Sequence, residues 1–93
     1  MSNMVGMDVE AVRRLAKTFG NKATDISNII KDMNSQLAGV GGSDWKGKDA
    51  NDFKHDWNAN LAPALKKVAG DLRTAQNTAN RNANTQDTTS KHL

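Results

Sequence analysis

The sequence predicts an all-α protein: an antiparallel two-helix hairpin that pairs into a four-helix-bundle dimer. Three observations carry this. Residues 9 to 40 hold an apolar stripe spaced alternately three and four apart, a second stripe runs from residue 50 to 79, and a glycine-rich stretch between them is long enough only for a reversal. No segment alternates with the period of a strand.

The first stripe is Val9, Val12, Ala16, Phe19, Ala23, Ile26, Ile30, Met33, Leu37 and Val40. Arg13, Arg14, Lys17, Asn21, Lys22, Asp25, Lys31 and Asp32 occupy the other positions. Asp8 is the expected N-cap, and Glu10 suits the positive end of the helix. The run Gly39-Val40-Gly41-Gly42-Ser43 is the stop, its glycines free to take the left-handed backbone that closes helices. Helix 1 is therefore expected over about residues 8 to 38 and the connector over about 39 to 47. Gly20 is a weak point inside the helix, costing about 1 kcal/mol against alanine.

The second stripe is Ala50, Phe53, Trp57, Leu61, Leu65, Val68, Leu72, Ala75 and Ala79. Its three successive steps of four across Leu61 read as a stutter, which locally straightens a supercoil. Asp49 and Asp52 fall in the first turn, where carboxylates suit the dipole. Pro63 lies inside the segment, where it removes a donor and crowds the preceding turn. A kinked but continuous helix is the preferred reading. The alternative is a break at Asn58-Ala59-Asn60, with Asn60 capping a new helix. Beyond Ala75 the apolar residues shrink to alanine among Asn and Thr, which are indifferent helix formers. Helix 2 is expected over about residues 48 to 82, with a flexible tail over about 83 to 93.

Joined by so short a connector, the helices must be antiparallel neighbours. Leu15 and Ile29 make the first stripe wider than one helix covers, so a lone hairpin leaves part of it wet. A four-helix bundle from two chains is the remedy. The residues expected to build the core and the dimer interface are Val12, Leu15, Phe19, Ile26, Ile29, Ile30, Met33 and Leu37 of the first helix. Phe53, Trp57, Leu61, Leu65, Val68 and Leu72 are their counterparts in the second.

Composition narrows the function classes. A chain of 93 residues with 37% hydrophobic and 4% aromatic residues is one thin domain, for which a partner chain is the natural source of stability. Mean hydropathy is −0.72, and no apolar run approaches the roughly 20 residues of a membrane span. The absence of cysteine excludes disulfide scaffolds, Cys-based zinc sites and thiol nucleophiles. Residues 1 to 7 lack both Lys or Arg and an apolar core, so no cleavable secretory signal is expected. Thirteen basic and ten acidic residues are interspersed, giving a net charge of +3. A solvated charged surface is favoured over a nucleic-acid footprint.

No catalytic constellation stands out, and no enzyme, cofactor or small-molecule substrate is expected. Asp52 and His55 are spaced three apart, as metal ligands on a helix can be, but no third ligand is at hand. Ser43, Asp44 and His55 lack the nucleophile elbow and oxyanion motif of a triad. The glycines at 39, 41 and 42 follow a helix rather than a strand and lack the Lys-Ser/Thr ending of a phosphate loop. What remains is Trp45-Lys46-Gly47 at the connector. A tryptophan there can close the end of the bundle, and the glycine permits the reversal.

Trp45-x-Gly47 between two amphipathic helices, followed by Ala50-x-x-Phe53-x-x-x-Trp57, resembles the WXG family (ESAT-like and CFP-like) of small helical-hairpin proteins of type VII, ESX-like secretion. The resemblance covers residues 5 to 80. It implies a hairpin that pairs with itself as a homodimer or with a second WXG-type protein, is exported folded without a leader, and meets the secretion-system ATPase and membrane machinery. It also implies that Trp45 and Gly47 form the turn, beside the partner's C-terminal signal. The chain departs from the family at its tail: the Tyr-x-x-x-Asp/Glu signal is missing, Ala79 and Ala83 stand where it would fall, and Asp87 is the only acid nearby. It is therefore expected to be the signal-less member of a pair, or a variant using another tail. The competing readings are a cytoplasmic helical adaptor or targeting chaperone for a larger secreted toxin-like protein, and a small basic nucleic-acid-associated protein.

Overall fold

Alternating three- and four-residue spacing fixes the outcome: two long helices folded back on each other. The computed structural model describes residues 7–40 and 45–91. Helix α1 spans Val9–Leu37. After the connector comes α2, Lys48–Asp56, which passes through a π-helical turn, Trp57–Leu61, into α3, Ala62–Lys91. The hairpin measures 67 × 16 × 15 Å, with a radius of gyration of 20.3 Å. A globular chain of this length would have about 12 Å. The molecule is a rod whose core is a single seam between the helices.

Both ends of α1 have local causes. The Ala11 amide donates to Asp8 Oδ1 at 3.0 Å, the cap expected of Asp8. At the other end the Gly39 amide donates to Gln36 O and that of Val40 to Leu37 O, a tightening of the last turn. Gly39 is not left-handed: among the described residues only Gly47 has a positive φ. Of the glycines expected to close the helix by that conformation, Gly39 does not adopt it. Gly41, Gly42, Ser43 and Asp44 lie outside the described residues.

The chain is continuous through Pro63, with no break at Asn60, and the local irregularity is a π-turn. The Ala62 amide bonds to Trp57 O, five residues back. Pro63 has no amide to donate and its ring crowds the carbonyl four residues before it, so a wider turn at this point relieves the clash. The wide turn inserts one extra residue into the helix. After Trp57 the next buried position is Ala62 rather than Leu61, and the seam then runs Leu65, Ala69, Leu72, Gln76, Ala79, Ala83 and Gln86, again in threes and fours. Leu61 and Val68, expected in the stripe, stand one position outside it and are exposed.

On α1 the seam differs from the expected stripe in the same manner. Ala16, Gly20, Ala23, Ile30 and Leu37 are buried, whereas Val12, Phe19, Ile26 and Met33 are half-buried along its edge. Gly20 is a close approach rather than a mere weak point. A Cβ placed on it would lie 2.7 Å from Gln76 Cδ, because the Gln76 side chain lies across that turn. The large apolar cluster sits at the connector end, where Ile30, Leu37, Trp57 and Ala62 are joined by Ile26, Met33, Val40 and Leu65.

Helix α3 also runs further than its composition suggests. Expected to end near residue 82, it continues to Lys91. Tertiary contacts supply what propensity lacks. Ala83 is fully buried. Arg13 of α1 donates to Asn84 Oδ1 at 3.0 Å and lies 3.7 Å from Asp87. Both contacts tie the last turns to α1.

Candidate interaction surface and connector

The two seams define two flanks. On α1, the row Val12, Phe19, Ile26, Met33 lies to one side of the seam, with Leu15 and Ile29 one step further round; on α3, Leu61, Val68 and Ala75 form the corresponding row. In an antiparallel pair, rows displaced from the seam in the same rotational sense come together on one face. Arg13 and its partner Asp87 mark the opposite flank, which confirms this assignment. One side of the rod is therefore largely apolar, interrupted by Lys22 between Leu15 and Ile29 and ending at Asn82 after Ala75.

The expected interface residues divide by burial. Ile30, Leu37 and Trp57 are buried in the seam of this one chain. Val12, Phe19, Ile26, Met33, Leu65 and Leu72 are half-buried. Leu15, Ile29, Leu61 and Val68 are 50, 51, 39 and 47% exposed, and Phe53 is at the boundary with 36%. Burying a large aliphatic side chain is worth about 1.5–3 kcal/mol, so this flank holds most of the association energy the surface can offer.

The connector brings a second group together. Val40 and Trp45 form an isolated bridge that draws its two ends together. Trp45 is 47% exposed, its ring centroid 6.4 Å from that of Phe53 at an interplanar angle of 40°, a tilted aromatic pair. Trp45 is thus propped on α2 with much of its ring in solvent. Gly47 has φ 108° and ψ −179° and is the N-cap of α2, its carbonyl accepting from the Asn51 amide. That backbone region is open essentially to glycine alone, which gives the physical reason for glycine two residues after the tryptophan. Lys54 Nζ bonds to Val40 O at 3.4 Å, a further tie across the connector.

Of the polar residues weighed for chemistry, Ser43 and Asp44 lie outside the described residues. His55 is exposed on α2, and the Asp52 carboxylate is engaged by Lys48 Nζ at 2.6 Å. Among the described residues no three His, Cys, Asp or Glu side chains cluster, and none of the described helices is long and apolar enough to cross a membrane. Two polar features of the seam escaped sequence reasoning. Gln76 and Asn34 are polar residues at seam positions, and only their partners, Gly20 and Trp57, reveal why they are there.

A helical hairpin with an apolar flank, and a Trp-x-Gly connector whose glycine is conformationally required, define a class of small pairing proteins. The chain belongs to the WXG100 family, proteins of 100 residues with WXG, whose family model matches residues 5–89. Comparison with curated proteins and with solved structures gives no match. Membership makes this a small helical protein associated with type VII secretion.

Proposed function

We propose that the chain acts in type VII secretion as a pairing partner, docking its apolar flank against a second WXG-type hairpin to complete a four-helix bundle. The carrying observation is the exposure of Leu15, Ile29, Leu61 and Val68 on a single flank of the rod. The pair then meets the export machinery as a folded unit, with Trp45 presented at one end. Because the tail lacks the tyrosine signal, the partner supplies it in trans.

Sedimentation of the wild type and of Ile29→Asp tests the pairing. The wild type sediments as a dimer, alone or with a co-expressed WXG-type partner, and Ile29→Asp as a helical monomer. A wild type that remains a folded monomer at high micromolar concentration with every such partner overturns the reading.

A further inference from the structure

Away from Arg13 the flank opposite the apolar one is basic, and among the described residues it lacks any large apolar side chain. Its rows are Glu10, Lys17, Thr24 and Lys31 on α1 and Lys66, Arg73, Asn80 and Asp87 on α3; the two acids stand together at the far end, where both meet Arg13, and Asn21, Asn28 and Asn77 lie beside the basic stretch. Lys17, Lys31, Lys66 and Arg73 are exposed. None of the four has an ion-pair or side-chain hydrogen-bond partner among the described residues, whereas Arg13, Lys22, Lys48 and Lys67 all face carboxylates. The register set by Gly20 against Gln76 and Arg13 against Asn84 brings Lys31 level with Lys66 across the seam. Flanking positions of an antiparallel helix pair ordinarily match opposite charges. Here two lysines face each other, and no carboxylate among the described residues pairs with either.

We propose that this flank is a docking surface for an acidic helix of another protein, one whose carboxylates recur every seven residues. The spacing carries the choice of partner. Lys17 to Lys31 is two heptads and Lys66 to Arg73 is one, so the cations stand at multiples of about 10.5 Å along straight helices. A helix with Glu or Asp at every seventh position repeats at the same interval. The face has no aromatic side chain on which bases could stack. It has no apolar anchor to accompany adsorption on anionic lipid. The arrangement thus favours a rigid partner of matching period over nucleic acid or a membrane surface. This inference is independent of pairing through the apolar flank, which lies on the other side of the rod.

The test uses the full chain and two Ala-rich helical peptides of equal length and charge, one with Glu at every seventh position and one with the same glutamates scrambled. Binding is followed by calorimetry in about 50 mM and about 300 mM salt, where an electrostatic contact weakens with screening. The heptad peptide is expected to bind at least tenfold tighter than the scrambled one and to lose affinity at the higher salt. Lys31→Glu and Lys66→Glu should each lose that binding at least tenfold. Lys67→Gln, which removes a cation already opposite Asp71, should not. Lys66→Glu should also raise the melting midpoint, since it places a carboxylate opposite Lys31. Phosphatidylserine vesicles and duplex DNA serve as the other classes of polyanion. Equal affinity for the two peptides, no binding to either, or tighter binding to vesicles or DNA would overturn the proposal.

Discussion

The indole Nε1–H of Trp57 donates to Asn34 Oδ1 across the seam at 2.8 Å. Trp57 is buried against Ile30, Leu37 and Ala62, so its only polar atom is satisfied by a residue from the opposite helix. The bond locks the axial register of the hairpin just where the π-turn begins. Asn34→Ala removes the partner of a part-buried donor and should cost about 1 kcal/mol. Denaturant unfolding checks this. Trp57→Phe in the same background should then cost less than Trp57→Phe alone, because the two changes act on one bond.

Ile29 and Ile30 are adjacent in sequence and opposite in role. Ile30 is 6% exposed in the seam and Ile29 is 51% exposed on the apolar flank. Ile30→Asp should unfold the hairpin, since an unpaired buried carboxylate costs several kcal/mol. Ile29→Asp should keep the helical circular dichroism of the wild type and lose only association. Equal loss of helix in both variants would contradict the assignment of the two flanks.

At the connector the two halves of the motif should separate in their effects. Trp45→Ala removes a ring that is already half in solvent, so the melting midpoint should barely move while complex formation or export fails. Gly47→Ala forces a side chain onto a φ of 108° and should cost about 1–3 kcal/mol, although nothing stands within 4 Å of the new methyl. Melting curves beside an export assay measure both effects. A large stability loss in Trp45→Ala would mean that the ring is structural.

Expressed alone in a type VII-competent host, the chain should remain in the cell. Co-expression with a WXG-type partner carrying the Tyr-x-x-x-acid tail should release both. Efficient secretion of the single chain would show that its own Asn- and Thr-rich tail carries a signal.

Much of the fold is legible because apolar periodicity marks it. Two helices, both ends of the first and the start of the second to within a residue or two, follow from the spacing of residues such as Ile30, Leu37 and Trp57. The exact seam is not legible, for a physical reason. Leu61 and Ala62 are neighbours and both apolar, as are Val68 and Ala69, so the stripe can be drawn through either of each pair. Only the wide turn beside Pro63 decides between them, and it chooses the alanines. Gly20 and Gln76 form one seam contact from a residue without a side chain and a polar one, which no hydrophobic pattern registers. The last turns of α3 are equally hidden, since Arg13 holds Asn84 and Asp87 from a point more than 70 residues earlier in the chain.

The turn from Trp57 to Leu61 also means that residue number and rotation are uncoupled at this one place. Elsewhere in α1 or α3, deleting a residue would swing everything beyond it by about 100° and put the wrong side chains in the seam. Between Trp57 and Ala62 the chain holds one residue more than an unbroken α-helix would use. Removing Ala59 would bring the present Ala62 to the fourth position after Trp57, its ordinary helical neighbour. Leu65, Ala69, Leu72 and every later contact would keep their facing. The length of the hairpin can thus change there by one without altering what faces what, at the cost of returning Pro63 to a regular turn that its ring crowds.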